Sequence, residues 1–372
     1  MQNDSLKPVL IIIILVSILS CSETKKTTNF LIYEVSNSTP IEENMSSVID
    51  IIEVIELNDR IGPIKDLQIH QNNFIIRTVN PPVIKLINSE GMEVCKFGSI
   101  GTGPGQHINI NDFTIVEDKL FLLDRSALKI YQYDIGCNLI QTFTNPMYSQ
   151  AIHSSDDQLF LYNGSEISEI SDHKLVSYDV NKAEVINQYF SISKASSAYL
   201  NFYDRSNFSH NEYNRFYYSF NDTVFTLASG APEPAYYIDL GTNKMQAKDY
   251  DADYANSYEF ITDMRKKERA LRIIGLEENK TNIAFLFEEN NFKYTIINKL
   301  TNKTTIVKAL NDDLFANNRY IDGEELFSYL PIHATEEMYY MYLSEEQITN
   351  QNFIDKHRII KGKGCIVKYK YK

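Results

Sequence analysis

The sequence lacks several features that would place it in a common class of protein. It has no tryptophan and only four cysteines in 372 residues, which is too few cysteines for a small disulfide-stabilised scaffold. Basic residues number 36 and acidic residues 49, so the formal net charge is −13. That balance argues against nucleic acid or an anionic membrane surface as the main partner. With 43% hydrophobic and 12% aromatic residues, the chain is too apolar to be disordered.

Sequence motifs for metal binding and nucleophilic catalysis are also missing. The seven histidines are scattered, and neither His-Glu-x-x-His nor Cys-x-x-Cys occurs, so we expect no metal and no cofactor. The Gly-x-Ser-x-Gly elbow of serine hydrolases is absent. Most aspartates stand where turns are expected. The acidic pairs Asp251/Asp253 and Asp312/Asp313 offer at most a weak calcium site.

One uninterrupted apolar run covers residues 9–19 and ends at Ser20-Cys21. Eleven helical residues span about 16 Å, roughly half of a bilayer core, which favours a signal peptide over a membrane anchor. The flank Ile18-Leu19-Ser20-Cys21 resembles the bacterial lipobox. The resemblance implies cleavage before Cys21 and lipidation of that residue, and acyl chains would hold the protein on a membrane. The alternative is a plain secretory signal with an incidental cysteine.

A repeated pattern of short strands and polar turns fills the remainder of the chain. A turn followed by an aromatic or aliphatic strand occurs six times, at residues 73–77, 119–124, 158–163, 223–227, 282–287 and 337–342. A second strand follows three of these units, at residues 83–91, 128–136 and 174–179. Each period has room for about four antiparallel strands. The sequence therefore predicts an all-β fold, a six-bladed β-propeller of four-stranded antiparallel blades. The alternatives are a pair of β-sandwiches and a β-solenoid.

The longer periods predict insertions into this propeller. Residues 252–274 carry an amphipathic pattern that predicts a helix, and residues 344–357 give a weaker helix candidate. We expect a strand at residues 364–371, which would pair into the first or last blade and close the ring. The predicted division is a signal peptide at residues 1–20, a lipidated N-terminus and polar tether at 21–45, and the propeller at 46–372.

A glycine-rich segment carries a family resemblance. Phe97-Gly98-Ser99-Ile100-Gly101-Thr102-Gly103-Pro104-Gly105-Gln106 is similar to the inter-blade turn of NHL-type repeats. Together with Pro234–Gly241 and Tyr320–Gly323 it resembles six-bladed β-propeller lipoproteins of Bacteroidota, although Glu324 stands where that family often has glycine. The resemblance implies a structural turn formed by Gly98, Gly101, Gly103, Pro104 and Gly105. A phosphate-binding loop is disfavoured because no Gly-Lys-Ser/Thr follows.

An aromatic surplus gives the best hint of a binding site. Tyrosine and phenylalanine crowd residues 199–220, where Tyr203, Arg205 and Tyr217 are ligand-binding candidates. The alternative is that these rings fill the contact between two blades. Arg77 and Arg125 are candidates for polar residues near the propeller axis. The absence of tryptophan lowers the expectation of sugar stacking.

Two questions of chemistry stay open at this level. Cys95 and Cys137 occupy comparable outer parts of successive periods, so they could form a disulfide or be buried as free thiols, and Cys365 is left over.

For function, we expect a monomeric binding or scaffold module rather than an enzyme. We expect it to be anchored by lipid in the cell envelope, on the outer membrane and facing the periplasm or the exterior. Its ligand would be a glycan, a peptide or an envelope protein. The alternative is a propeller hydrolase or lyase acting on a polysaccharide or lactone, which clustered Asp, His and Arg at the axis would favour.

Overall fold

The computed structural model describes residues 31–36, 38–58, 61–155, 158–193, 200, 207–227, 230–250, 254–360 and 362–372. The predicted signal peptide, Cys21, the polar stretch 22–29, and Tyr203, Arg205, Asp251 and Asp253 lie outside the described residues. Within the described part of the chain, no helix combines the length and apolar character needed to span a bilayer.

Three strands and one helical turn precede the first complete sheet. They are β1 (Leu31–Glu34), β2 (Ile41–Asn44), α1 (Met45–Val48) and β3 (Ile49–Glu56).

The next three sheets are antiparallel meanders of four strands each. Blade 1 consists of β4 (Ile64–His70), β5 (Asn73–Thr78), β6 (Ile84–Ile87) and β7 (Glu93–Phe97). A short parallel pair follows, formed by β8 (Ser99–Ile100) and β9 (Gln106–His107). Blade 2 consists of β10 (Asp112–Val116), β11 (Lys119–Asp124), β12 (Lys129–Asp134) and β13 (Leu139–Thr144). Blade 3 consists of β14 (Ala151–Ser155), β15 (Gln158–Tyr162), β16 (His173–Asp179) and β17 (Glu184–Ser191).

The last three blades incorporate the strands near the start of the chain. Blade 4 consists of β18 (Phe208–Ser209), β19 (Arg215–Phe216), β20 (Thr223–Thr226) and β21 (Glu233–Asp239), and two 3-10 turns (Gly241–Asn243, Ala247–Tyr250) and α2 (Ser257–Lys266) follow. Blade 5 consists of β22 (Ala270–Glu278), β23 (Asn282–Glu289), β24 (Asn291–Asn298) and β25 (Lys303–Asp312), with β26 (Arg319–Asp322) paired to β25 and a 3-10 helix (Gly323–Tyr329) after it. Blade 6 consists of β27 (His333–Ala334), β28 (Tyr339–Leu343), β29 (Cys365–Tyr371) and β3, with α3 (Gln351–His357) inserted before β29.

The six blades form a closed ring, which confirms the predicted propeller. The inner strands β4, β10, β14, β18, β22 and β27 each contact the next, and β27 contacts β4. The ring closes as the sequence predicts, because β29 pairs antiparallel with β3 to complete blade 6. Five of the six repeated units are the second strand of a blade. The exception is residues 223–227, which form the third strand of blade 4, since the second strand there is the two-residue β19.

The contacts between blades explain why both faces of the strands are apolar. On β11, Leu120 and Leu122 pack against blade 1, whereas Phe121 and Leu123 pack against blade 3. Successive residues of a strand point to opposite faces, so a strand between two neighbouring blades needs apolar residues at every position. Each such side chain contributes about 1.5–3 kcal/mol when fully buried. Every pair of neighbouring blades shares a core of this kind.

The propeller begins earlier than the predicted boundary at residue 46. Strand β1 pairs in parallel with β21 as a fifth strand of blade 4, and β2 pairs in parallel with β25 of blade 5. Tyr33 and Val35 are buried in the core between those blades. The segment carries Glu34, Glu42 and Glu43, so its sequence is more polar than that of the inner strands. These side chains belong to outermost strands, where one face meets solvent.

Both predicted helices are shorter than expected. The pattern at residues 252–274 contains α2 and the start of β22, separated by Glu268, whose φ of 53° ends the helical path. The apolar Phe260 and Met264 of the helix pack on Leu271 of the strand, so one continuous stripe in the sequence spans two elements. In the second segment, the Asn350 side chain caps α3 in place of Ser344.

A disulfide joins Cys95 of blade 1 to Cys137 of blade 2, and Cys365 is a buried free thiol. The two Cα atoms are 6.3 Å apart, within the usual range for a disulfide. The structure thus decides between the two alternatives that the sequence leaves open. The bond ties together the outer edges of two blades that receive no fifth strand.

We predict that the double substitution C95A/C137A lowers the free energy of unfolding by about 3–4 kcal/mol. The cysteines are 42 residues apart, and in the chain-entropy model a loop of that length gives this magnitude. Urea denaturation of the two proteins measures the difference. A reductant should destabilise the native protein by the same amount and leave the variant unchanged. Equal unfolding midpoints of variant and native protein would contradict the prediction.

Candidate functional site

The propeller axis is lined by polar residues that occupy equivalent positions in different blades. Gln68, Thr114, His153 and Glu277 each lie opposite the third residue of the following strand, at Ile75, Phe121, Phe160 and Ala284. Because the inner strands converge here, these side chains approach one another from four blades. The axis is therefore polar, although the contacts between blades are apolar.

Arg77 and Asp66 form a buried ion pair beside the axis. The Arg77 side chain donates to Asp66 Oδ2 from Nε, at 2.8 Å, and from Nη2. Its Nη1 also donates to the main-chain oxygens of Ile110, at 2.9 Å, and Asn111. Arg77 is only 3% exposed. The donors of Arg77, which was predicted as a ligand-binding candidate, face protein acceptors that tie blade 1 to the connection into blade 2.

Asp112 is a second buried carboxyl group near this pair. Burial and the nearby Asp66 charge raise the pKa of Asp112 to about 7, against the opposing effect of Arg77. The main-chain amide of Ile152 donates to Asp112 Oδ2 at 2.9 Å. This bond links blade 2 to blade 3 in the same manner as Arg77 links blade 1 to blade 2.

Three histidines from different blades lie around the axis, where His153 and His333 are buried and His210 is half-buried. His153 and His210 approach through their Nδ1 atoms at 3.2 Å, and the His153 ring stacks on Phe208 with centroids 5.2 Å apart. Burial lowers the pKa of His153 and of His333 to about 4, and it holds the pKa of His210 well below its ordinary value. All three imidazoles are therefore neutral near pH 7, and in the His153–His210 pair one Nδ1 donates while the other accepts.

Two cavities lie along the axis. The smaller, of about 30 Å³, is bordered by Gln68, Tyr217, Glu277 and His333 and has room for about one water molecule. The larger, of about 230 Å³, is called here the axial hollow, and its walls include Thr114, Glu117, His153, Ser154, His210 and Asn214. The hollow opens on the side where the inner strands turn into the second strands.

A third cavity of about 610 Å³ lies where blades 6 and 1 meet, bordered by Ile64, Asn80, Pro81, Ile332, Tyr342 and Glu345 among others. It lies on the side of the connections between blades. Among the described residues, no group of three or more His, Cys, Asp or Glu side chains is arranged to hold a metal ion.

Of the other predicted site residues, the two that the structure describes, Arg125 and Tyr217, do not line the axial hollow. Arg125 donates from Nη2 to both carboxylate oxygens of Glu166 at 2.6 Å and lies over the Tyr148 ring. Tyr217 is 2% exposed, and its hydroxyl accepts from the Leu276 amide at 3.0 Å. The described aromatic residues near it, including Phe208 and Phe216, pack in the cores between blades. The described aromatic residues of this stretch thus fit the alternative that their rings fill the contacts between blades.

The glycine-rich segment lies between the last strand of blade 1 and the first strand of blade 2. Gly103 donates its amide to Gln106 Oε1 at 2.8 Å, and the Tyr133 hydroxyl donates to the oxygen of Gly105 at 3.1 Å. Gly98 has a φ of 70°, and a Cβ there would lie 2.6 Å from the Tyr133 hydroxyl. The segment is thus held by internal hydrogen bonds as a turn between blades.

Sequence reasoning missed the axial residues although they carry a signal. Gln68, Thr114, His153 and Glu277 each stand five residues before the start of a repeated unit, at residues 73, 119, 158 and 282. A polar residue recurring at one offset from an apolar strand marks the inner strand's axial position. The apolar positions of the repeat, which define the second strands, do not by themselves reveal this polar position.

Comparisons with known proteins place the fold among bacterial propellers. The model of the family described as Domain of unknown function (DUF4934) matches residues 28–363. A presumed exported protein of Bacteroides fragilis has a similar structure, with 13% identity, a TM-score of 0.72, and coverage of 92% of this chain and 99% of that one. A member of the DUF4221 family from Bacteroides vulgatus gives 11% identity, a TM-score of 0.53, and coverage of 88% and 99%. The curated proteins include no match to this chain.

We predict that stability falls as the pH drops from about 6.5 toward 4. The unfolded chain then binds protons that the neutral His153, His210 and His333 do not accept. Asp112 opposes this trend, because its raised pKa keeps a proton in the folded state that the unfolded state has lost. H333Q should flatten the slope of unfolding free energy against pH by up to about 1.4 kcal/mol per unit, and D112N should steepen it. Urea titrations at half-unit pH intervals measure both, and parallel slopes would contradict the prediction.

Substitution of Arg77 should lower the stability of the whole propeller, because this side chain bonds to acceptors in two parts of the ring. We expect R77M to lower the free energy of unfolding by about 3–5 kcal/mol, because the half-buried Asp66 loses the guanidinium that faces it and the main-chain oxygens of Ile110 and Asn111 lose their donor. Chemical denaturation measures the loss. The double variant D66N/R77M should recover part of it, since no unpaired charge then remains. A loss under 1 kcal/mol in R77M would show that the pair is not structural.

Proposed function

The chain belongs to the DUF4934 family, and from that premise we propose that it is an exported, lipid-anchored binding module of the bacterial cell envelope. It acts as a monomer, on the outer membrane and facing the periplasm or the exterior. Its ligand is a glycan, a peptide or another envelope protein, and no nucleic acid is involved.

Three observations support export and anchoring. The apolar run at residues 9–19 ends in the lipobox-like Ile18–Cys21. The Cys95–Cys137 disulfide suits an oxidising compartment such as the periplasm or the cell surface. The structurally similar Bacteroides fragilis protein is described as exported. Lipid on Cys21 would place the propeller beside a membrane through the residues that precede β1.

The observation that supports a binding role is that the charged groups at the propeller axis are bonded within the protein, whereas a cavity beside them is open. Near the axis, Arg77 and Asp66 form an ion pair with each other. The Asp112 carboxyl group accepts a hydrogen bond from a main-chain amide of the next blade. What stays open is the axial hollow, whose described walls carry imidazole, hydroxyl and amide groups, with Glu117 at the exposed edge. Such a concave site with fixed polar groups is suited to holding a ligand.

The hydrolase or lyase alternative has one observation in its favour, the clustering of Asp, His and Arg at the axis. A general acid or base must reach the proton that it transfers. Asp66, Asp112 and Arg77 instead make hydrogen bonds within the protein and between blades. We therefore propose binding in preference to turnover.

Lipidation is tested by the substitution C21A in a Bacteroides host grown with an alkyne-labelled fatty acid. We expect label on the native protein and its recovery with the membrane fraction, whereas C21A carries no label and leaves that fraction. The matched control C365A changes a buried cysteine of blade 6 and should stay labelled. Absence of label from the native protein, or its retention by C21A, would refute the anchor.

A further inference from the structure

We infer that the axial hollow is a binding site for a small, neutral, polyhydroxylated molecule of about the size of a monosaccharide. The inference rests on the proposed function only for its premise that this protein binds a ligand. It does not depend on the lipid anchor. It assigns the ligand to one mouth of the propeller axis and gives it a chemical class.

The size of the hollow sets the size of the ligand. Its volume of about 230 Å³ is below the roughly 300–1,000 Å³ of pockets that hold drug-sized molecules. It equals the liquid volume of about seven or eight water molecules. A single sugar ring or a cyclic polyol fits that space, whereas a longer oligosaccharide or a folded peptide would extend out of it.

The charge of the walls favours a neutral ligand. Among the described residues that line the hollow there is no lysine or arginine, and Glu117 is the one carboxylate. The histidines His153 and His210 are neutral, since burial disfavours their charged forms. The third histidine of the wall, His70, is already paired with Asp118 Oδ1 at 2.9 Å. An anionic ligand would find no partner for its charge here, and burying an unpaired charge is costly. A cationic ligand would have only the exposed Glu117 at the edge.

Unused hydrogen-bonding groups point to hydroxyl partners. His153 is 2% exposed, its Nδ1 is engaged by His210, and its Nε2 has no hydrogen-bond partner in the described chain, although the Asn214 amide lies close by. The Ser154 amide donates to Thr114 Oγ1 at 3.2 Å, and Ser154 itself lines the hollow beside His153. A buried polar atom left without a partner costs about 1–3 kcal/mol. A ligand hydroxyl can both donate and accept, so it can satisfy the imidazole and the serine together.

The hollow also has an apolar side. Ile69 and Ile115 line it together with the polar residues. A sugar or cyclitol ring carries C–H groups on its faces and hydroxyls around its edge, which matches a wall of this mixed character. Recognition would then depend on hydrogen bonds and aliphatic contact, and a tryptophan platform is not required.

The test uses the mature full-length protein in detergent. Ligand-observed saturation-transfer NMR is recorded with glucose, galactose, mannose and myo-inositol, and with glucuronate and glucosamine as charged compounds of equal size. We expect saturation transfer to at least one neutral compound and at least tenfold weaker binding of its charged counterparts. Titration of the strongest neutral binder then gives its Kd.

Two variants locate the site. S154L places an apolar side chain in the hollow and should weaken binding at least tenfold, whereas the matched control S328L, at the cavity between blades 6 and 1, should leave the Kd unchanged. If S154L fails to fold, as judged by thermal unfolding, N214D serves in its place, because it adds a charge without adding bulk.

The inference is overturned if no neutral compound binds. It is equally overturned if glucuronate or glucosamine binds as well as the neutral compounds, or if a folded hollow variant retains the native Kd. Each of these results is distinct from failure of the proposed function, since labelling of Cys21 is measured separately. Binding that is weakened by S328L and not by S154L would assign the ligand to the cavity between blades 6 and 1, and it would overturn the inference as well.

Discussion

The pairing of β3 with β29 is the interaction on which the rest of the structure depends. Every blade has two apolar faces, and each face is covered only by the neighbouring blade. An open row of six blades would leave one apolar face exposed at either end. The ladder that runs from Cys365–Glu56 to Tyr371–Ile49 fixes blade 6 as a complete sheet, and that sheet then covers blade 1. Because the ring has no end, the loss of this pairing would expose two cores at once.

The outer edges of the blades carry further links that hold the ring together, and these links differ between blades 4–6 and blades 1 and 2. Residues 31–56 run past blades 4, 5 and 6 in turn, adding a strand to each. In the described part of the chain, blades 1, 2 and 3 receive no such strand, and the Cys95–Cys137 disulfide joins the outer parts of blades 1 and 2. A wide rim needs these ties because blades diverge with distance from the axis and share fewer contacts. The lipid proposed at Cys21 would attach only ten residues before the first of these rim strands.

The sequence could predict those parts of the fold in which a single requirement, such as burial of both faces of a strand, determines the residue types. Second strands such as β11 and β23 must be apolar on both faces. Their spacing along the sequence and their number, and hence the number of blades, could therefore be predicted. The rim strands β1 and β2 were missed because one of their faces meets water, which lowers their apolar content to that of a loop. The helix at 252–274 was predicted too long because Met264 and Leu271 continue one stripe across a chain reversal. Arg77 was predicted near the axis, but its partner Asp66 lies on a different strand, and the sequence alone does not pair them.

The polar axis follows from the same geometry that makes the blade contacts apolar. Six inner strands converge on a narrow channel, where each blade can contribute only a few side chains and none has a neighbouring sheet to cover it. Polar groups are stable there when they bond across blades, as Arg77 does with Asn111 and Asp112 with Ile152. These bonds engage Arg77, Asp66 and Asp112, and imidazole and hydroxyl groups such as those of His153 and Ser154 line most of the remaining space. The chemistry of the hollow is thus what remains after the ring has satisfied its own polar groups, and this is why a neutral hydroxylated ligand suits it better than a charged one.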